Sequence, residues 1–187
     1  DTGISTIQDL IGKRVMLLPE DKDADILAAF LNEGVPLDAI HRLDQTYHLD
    51  DLIERRIDAV SAYVTNEPWQ LLQQGVAPAV ISPQTSGVDF YSDCLFTTET
   101  EIQKHPRRVQ AFLDASLRGW KYAMNHNQEI IDLLIAAYGV KKQTDHLSYE
   151  AEAIQKMMLP GIVQIGHMNP GRWRHITAVY QKLGLLE

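Results

Sequence analysis

Asn66 and Glu67 stand directly before Pro68, with Tyr63 just upstream. A carboxylate near an aromatic ring can accept two N–H bonds from an amino-heterocycle or a cationic amine. Glu67 is therefore the leading candidate contact for a small molecule, with Asn66 and Tyr63 beside it. Two other places offer related chemistry. Asp21 and Asp23 follow Pro19 in a loop after an apolar run, and Tyr91 and Asp93 lie in FYSDCLFT, where Tyr91 could stack on a ring. Each place also has a plainer reading. Asn66 and Glu67 suit a helix start, Asp21 and Asp23 suit the positive end of a helix dipole, and Tyr91 and Asp93 fit simple strand alternation.

Other reactive patterns are missing from the sequence. The seven histidines include no His-x-x-x-His pair and no HExxH, so no metal is expected. Cys94 is the single cysteine, which excludes an internal disulfide and a multi-cysteine zinc site. It reads as a small buried hydrophobe on a strand. There is no glycine-rich phosphate loop and no Gly-x-Ser-x-Gly or Ser-x-x-Lys motif, and no cofactor is expected.

The elements that hold these residues follow from periodicity and punctuation. Ser5 or Thr6 opens a short turn that Gly12 stops, and Lys13 to Leu18 reads as a buried strand. The acidic cluster Glu20, Asp21, Asp23 and Asp25 opens a helix whose stripe is Ile26, Leu27, Phe30 and Leu31, ending near Gly34. The rhythm then repeats, with strands over Ala39 to Leu43 and Ile57 to Val64, a short helix over His48 to Arg56, and a helix begun by Pro68. Further strands are expected over Pro78 to Ser82 and Phe90 to Thr97. Strand–helix alternation predicts parallel βαβ units, in which ligands meet the loops after the strands.

Beyond Thr98 the pattern is helical. Helices are expected over Glu99 to Lys104, Arg107 to Asn125, Gln128 to Tyr138, Ser148 to Leu159 and Pro170 to Leu183. Val109, Phe112, Leu113, Leu117, Trp120 and Tyr122 are the expected core positions of the long helix. Helices this apolar require a surface to cover.

Composition limits the function classes. The 187 residues carry 17 basic and 25 acidic side chains, a net charge of −8, which argues against a nucleic-acid partner. No stretch approaches the roughly 20 apolar residues of a membrane span. The first residue is Asp1 rather than Met, which reads as a start inside a longer protein.

Several segments together resemble the periplasmic solute-binding proteins of ABC importers for alkylsulfonates, nitrate and thiamine pyrimidine, most closely the thiamine-pyrimidine branch. They are Asp9-Leu10-Ile11-Gly12-Lys13-Arg14-Val15, Ile57-Asp58-Ala59-Val60, Thr65-Asn66-Glu67-Pro68, Gly87-Val88-Asp89-Phe90-Tyr91-Ser92-Asp93, and Lys104-His105-Pro106 through Gly119-Trp120. The resemblance implies an α/β fold of the periplasmic-binding-protein type II kind, with ligand held between two lobes. It implies that residues 1–88 form a near-complete second lobe, 89–98 a crossing hinge strand, and 99–187 the helical C-terminal part of the first lobe. The N-terminal half of that lobe would precede Asp1.

The resemblance further implies that Glu67 faces a pyrimidine-like or amine ligand. Two partners fit it, a membrane signalling module or an ABC permease, and the segment from Phe90 to His126 with IGHMNPGRWRHI is more similar to the sensor group. Either places the chain in the periplasm or another extracytoplasmic compartment. One eukaryotic branch is a pyrimidine-synthase enzyme with a cysteine-rich cluster at the segment aligned with Gly87 to Tyr91; this chain has no cysteine there, so a binding role is expected rather than catalysis. Weak ligand binding and self-association are expected of the chain alone, because part of the cleft and the cover for the helices would be absent.

Overall fold

Arg14–Leu17 (β1) is the centre of a parallel sheet with strand order β2-β1-β3. β2 is His41–Asp44 and β3 is Ala59–Val60. Arg14 pairs with His41 and Leu17 with Asp44, while Val15 pairs with Ala59 and Met16 with Val60. Val15, Met16 and Leu17 are buried, as a central parallel strand covered on both faces requires. The computed structural model describes residues 3–187.

Two compact units make up the chain. The first runs to Tyr91 and takes in Asn169–Glu187; the second is Ser92–Met168. In the first unit, α1 (Ala24–Asn32) joins β1 to β2, α2 (Asp50–Ile53) joins β2 to β3, and α3 (Glu67–Gln73) follows β3. Leu27, Ala28 and Phe30 of α1 meet Val15 and Leu17 of β1 in one core with Ile7, Leu10, Val35, Ile40 and Val88. Burying a side chain such as Phe30 contributes roughly 1.5–3 kcal/mol. α1 gives way to Gly34 at φ +70°, a left-handed position that suits glycine.

The last helix, α8 (Pro170–Lys182), also belongs to this unit. Its Val179 is buried in the same core, and Phe90 stacks on Tyr180 with ring centroids 6.0 Å apart. The expected grouping of residues 99–187 into one helical part therefore differs from the structure. α8 leaves the other helices because its apolar side completes the α/β core.

The second unit holds α4 (Glu99–Lys104), α5 (Pro106–Asn125), α6 (Asn127–Tyr138) and α7 (Thr144–Met158). The Thr98 hydroxyl caps α4 by accepting from the Glu101 N–H at 3.1 Å. α6 ends at Gly139, which takes φ +64°. No residue of α5 is buried, and Phe112, Leu113, Trp120 and Tyr122 are exposed, so the core positions expected there are corrected. The apolar stripe exists, but within this unit only Ile131, His146 and Leu147 are buried.

Three strand expectations are corrected as well. Ile57 to Val64 contributes two strand residues, and neither Pro78 to Ser82 nor Phe90 to Thr97 forms a strand. A strand exists only where a neighbour completes its ladder, and among the described residues the sheet ends at β2 and β3. Cys94 accordingly lies on irregular chain, half-buried, with its thiol donating to the Ser92 carbonyl at 3.5 Å.

Candidate functional site

A parallel sheet brings the carboxyl ends of all its strands to one edge, and here the loops after β1, β2 and β3 rise from that edge. The loop after β2 supplies Gln45, Tyr47, His48 and Leu49 to a hollow of about 220 Å³. The end of β3 supplies Val60 and Ser61, and the entry to α3 supplies Asn66, Glu67 and Gln70.

Glu67 anchors this corner. Its Oε2 accepts from the Tyr63 backbone N–H at 2.7 Å and its Oε1 accepts from Asn66 Nδ2 at 2.6 Å. Asn66 precedes the first residue of α3 but does not cap it with its side chain. Its Oδ1 is buried without a hydrogen-bond partner. Ser61, only 8% exposed, has an Oγ in the same condition.

Gln45 stiffens the opposite wall. Its amide donates to the Ser61 carbonyl at 3.0 Å and accepts from the Tyr47 N–H at 3.1 Å. Tyr47 takes φ +63°, a conformation unusual for a residue with a bulky side chain, and it is 76% exposed. Thr46 donates to Asp51 at 2.7 Å, and Asp51 also accepts from Arg56, so its carboxyl is held below the ordinary range.

Asp23 lies where β1 gives way to α1 and is 4% exposed. Burial pushes its carboxyl up, against the opposing pull of the Leu18 N–H at 2.6 Å, the nearby Ser61 hydroxyl and the Arg42 charge. Ser61 is thus close enough to favour the Asp23 carboxylate, although it makes no hydrogen bond of normal geometry.

The structure groups some of the candidate residues and separates others. Asn66 and Glu67 line the hollow, Tyr63 contributes its backbone N–H to Glu67 and is 67% exposed, and Asp23 lies outside the wall, where the Ser61 hydroxyl favours its carboxylate. Asp21 is exposed, and its carbonyl accepts from Tyr180 Oη at 3.4 Å. Tyr91 is occupied by α8: its Oη accepts from the Asn169 N–H at 2.7 Å, Trp173 lies 5.3 Å from its ring, and the Arg172 guanidinium sits 4.7 Å above it. Arg172 also pairs with Asp89. Asp93 is an exposed residue of the second unit.

Sequence reasoning missed Gln45, Tyr47, His48, Ser61 and Gln70. The available signal was the carboxyl end of β2, which obeys the same loop rule as β1 and β3. The second unit has a hollow of about 510 Å³ at Lys121, Gln155 and Gln164, with neither a carboxylate nor an aromatic ring in its wall. Among the described residues no cluster of three or more His, Cys, Asp or Glu could hold a metal. No helix there is long and apolar enough to cross a membrane.

No curated protein matches the chain. A family model described as NMT1/THI5 like matches residues 1–130. That match spans the sheet and every residue of the Asn66–Glu67 hollow. Because the match covers most of the chain, the chain belongs to the NMT1/THI5-like family, a branch of the type II periplasmic-binding-protein fold, with which its mixed α/β structure and parallel sheet agree.

Proposed function

We propose that the chain is the extracytoplasmic small-molecule-binding domain of a bacterial membrane signalling protein, and that it takes a pyrimidine-like or amine ligand. The observation that carries this reading is the Asn66–Glu67 hollow at the carboxyl edge of a parallel sheet, in a chain of solute-binding family. Acceptor oxygens dominate that corner, which suits a ligand bearing N–H groups. The reading is one of binding without turnover, with no cofactor, so the ligand is recovered unchanged.

The segment resemblance to sensor proteins favours a signalling module over an ABC permease as the partner. A kinase or cyclase module and a membrane span encoded in the parent gene support the sensor, and a neighbouring permease gene supports the importer. Mass spectrometry of molecules carried through purification tests the ligand reading, together with thermal shift against a library of amines and pyrimidines. No bound molecule and no shift across that library would falsify it.

A further inference from the structure

Glu67 is held from two sides, by the Tyr63 N–H at 2.7 Å and by Asn66 Nδ2 at 2.6 Å. A carboxylate can only accept, so the amide nitrogen of Asn66 must face Glu67 and its oxygen must face elsewhere. That oxygen is buried without a donor. Ser61 Oγ is buried without a hydrogen bond of normal geometry, in a residue more than nine-tenths covered, and its hydroxyl favours the buried Asp23 carboxylate, which leaves its lone pairs without a donor. Both residues line the same hollow. Orphaned buried acceptors weaken the free protein, and an arriving N–H donor restores what they lack.

We propose that Asn66 Oδ1 and Ser61 Oγ are the atoms that select the ligand, by accepting N–H bonds from it. Glu67 is then a positioning residue: it fixes the Asn66 amide and the Tyr63 backbone and does not itself contact the ligand. Glu67, a carboxylate in the wall of the hollow, disfavours an anion of the same size. The assignment rests on the small-molecule reading above and adds to it which atoms discriminate. It also exchanges the roles expected from sequence, in which Glu67 was the leading contact.

The test is calorimetry on the full chain with three ring probes of similar size: neutral 4-aminopyrimidine, cationic benzamidine and anionic benzenesulfonate. The two donor probes bind, and benzenesulfonate binds roughly tenfold more weakly or worse. Ser61→Ala and Asn66→Ala each weaken both donor probes by roughly tenfold.

Glu67→Gln weakens 4-aminopyrimidine and benzamidine by the same factor, as loss of positioning requires. A loss confined to benzamidine would make Glu67 a direct charge contact and overturn its positioning role. Unchanged donor binding in Ser61→Ala and Asn66→Ala, or tighter binding of benzenesulfonate, overturns donor selection while the small-molecule reading stands. Failure of all three probes at millimolar concentration overturns both.

Discussion

Arg14 and Asp58 tie the amino ends of β1 and β3 together through a bidentate pair. Arg14 Nε donates to Asp58 Oδ2 and Nη2 to Oδ1, both at 2.9 Å, and the Arg14 backbone N–H adds a third bond to Oδ2 at 2.9 Å. This clamp lies at the opposite end of the strands from the hollow, so it concerns the sheet and not the ligand.

Asp58 sets an acid limit on the first unit. The Arg14 hydrogen bonds hold its carboxyl at about 2, below the ordinary 3.8. A depressed carboxyl contributes stability that is present above the unfolded value and lost as pH falls through the folded one. Asp58→Asn is therefore expected to cost about 1 kcal/mol at pH 7, modest because the pair is partly solvated. The deficit shrinks between pH 4 and pH 2. Urea melts of both proteins across that range check it, and a deficit that stays constant would sink the linkage.

Asp23 has the opposite sign. Burial raises its carboxyl, so its ionisation opposes folding once pH exceeds the folded value. The Leu18 N–H bond at 2.6 Å needs an acceptor, and an asparagine oxygen can provide one without the charge. Asp23→Asn is expected to raise Tm by a few degrees at pH 7. At pH values below the unfolded carboxyl range the variant and the wild type converge. A lower Tm for the variant at pH 7 would show that the Leu18 and Arg42 interactions outweigh the cost of burial.

Local signals made the helices legible. The bounds Glu99–Lys104 follow from Thr98 and Pro106, and α6 stops where Gly139 predicts. Strand-like runs behaved differently, because Pro78 to Ser82 is extended in composition but a strand also needs a neighbour that composition does not name. Asn66 and Glu67 were visible as a strand-to-helix junction. Ser61 was hidden inside the apolar run IDAVSAYV, and only the lack of a hydrogen bond to its buried oxygen singles it out. The positive φ of Tyr47 leaves no mark in sequence, since the Gln45 side chain that accepts from its N–H is anchored in turn on Ser61, a residue remote in the chain.

Tyr91 illustrates a residue whose chemistry suggested a ligand but whose environment is structural. Its hydroxyl is fixed by the Asn169 N–H, and its ring by Trp173 and Arg172. Tyr91→Phe is expected to cost about 1 kcal/mol and to speed hydrogen exchange of the Asn169 amide at the start of α8. Binding of a small molecule at the Asn66–Glu67 hollow stays unchanged. Weaker binding in this variant would return Tyr91 to the list of ligand contacts.

In the second unit Gly166 combines two constraints that can be separated. It takes φ +83°, and a Cβ there would lie 2.6 Å from Leu117 Cδ2 on α5. Gly34 takes a similar φ of +70° with open space around it. Gly34→Ala therefore measures the backbone cost alone, about 1 kcal/mol. Gly166→Ala adds a side-chain collision, and the expected loss is roughly 2 kcal/mol or more. Shortening the neighbour should relieve only the second part. Leu117→Ala with Gly166→Ala is then expected to be less destabilising than the sum of the single changes, and the double loss minus the Leu117→Ala loss is expected to be close to the Gly34→Ala cost. Additive losses in urea melts would place the whole penalty in the backbone and deny the contact between the 159–168 loop and α5 any role in stability.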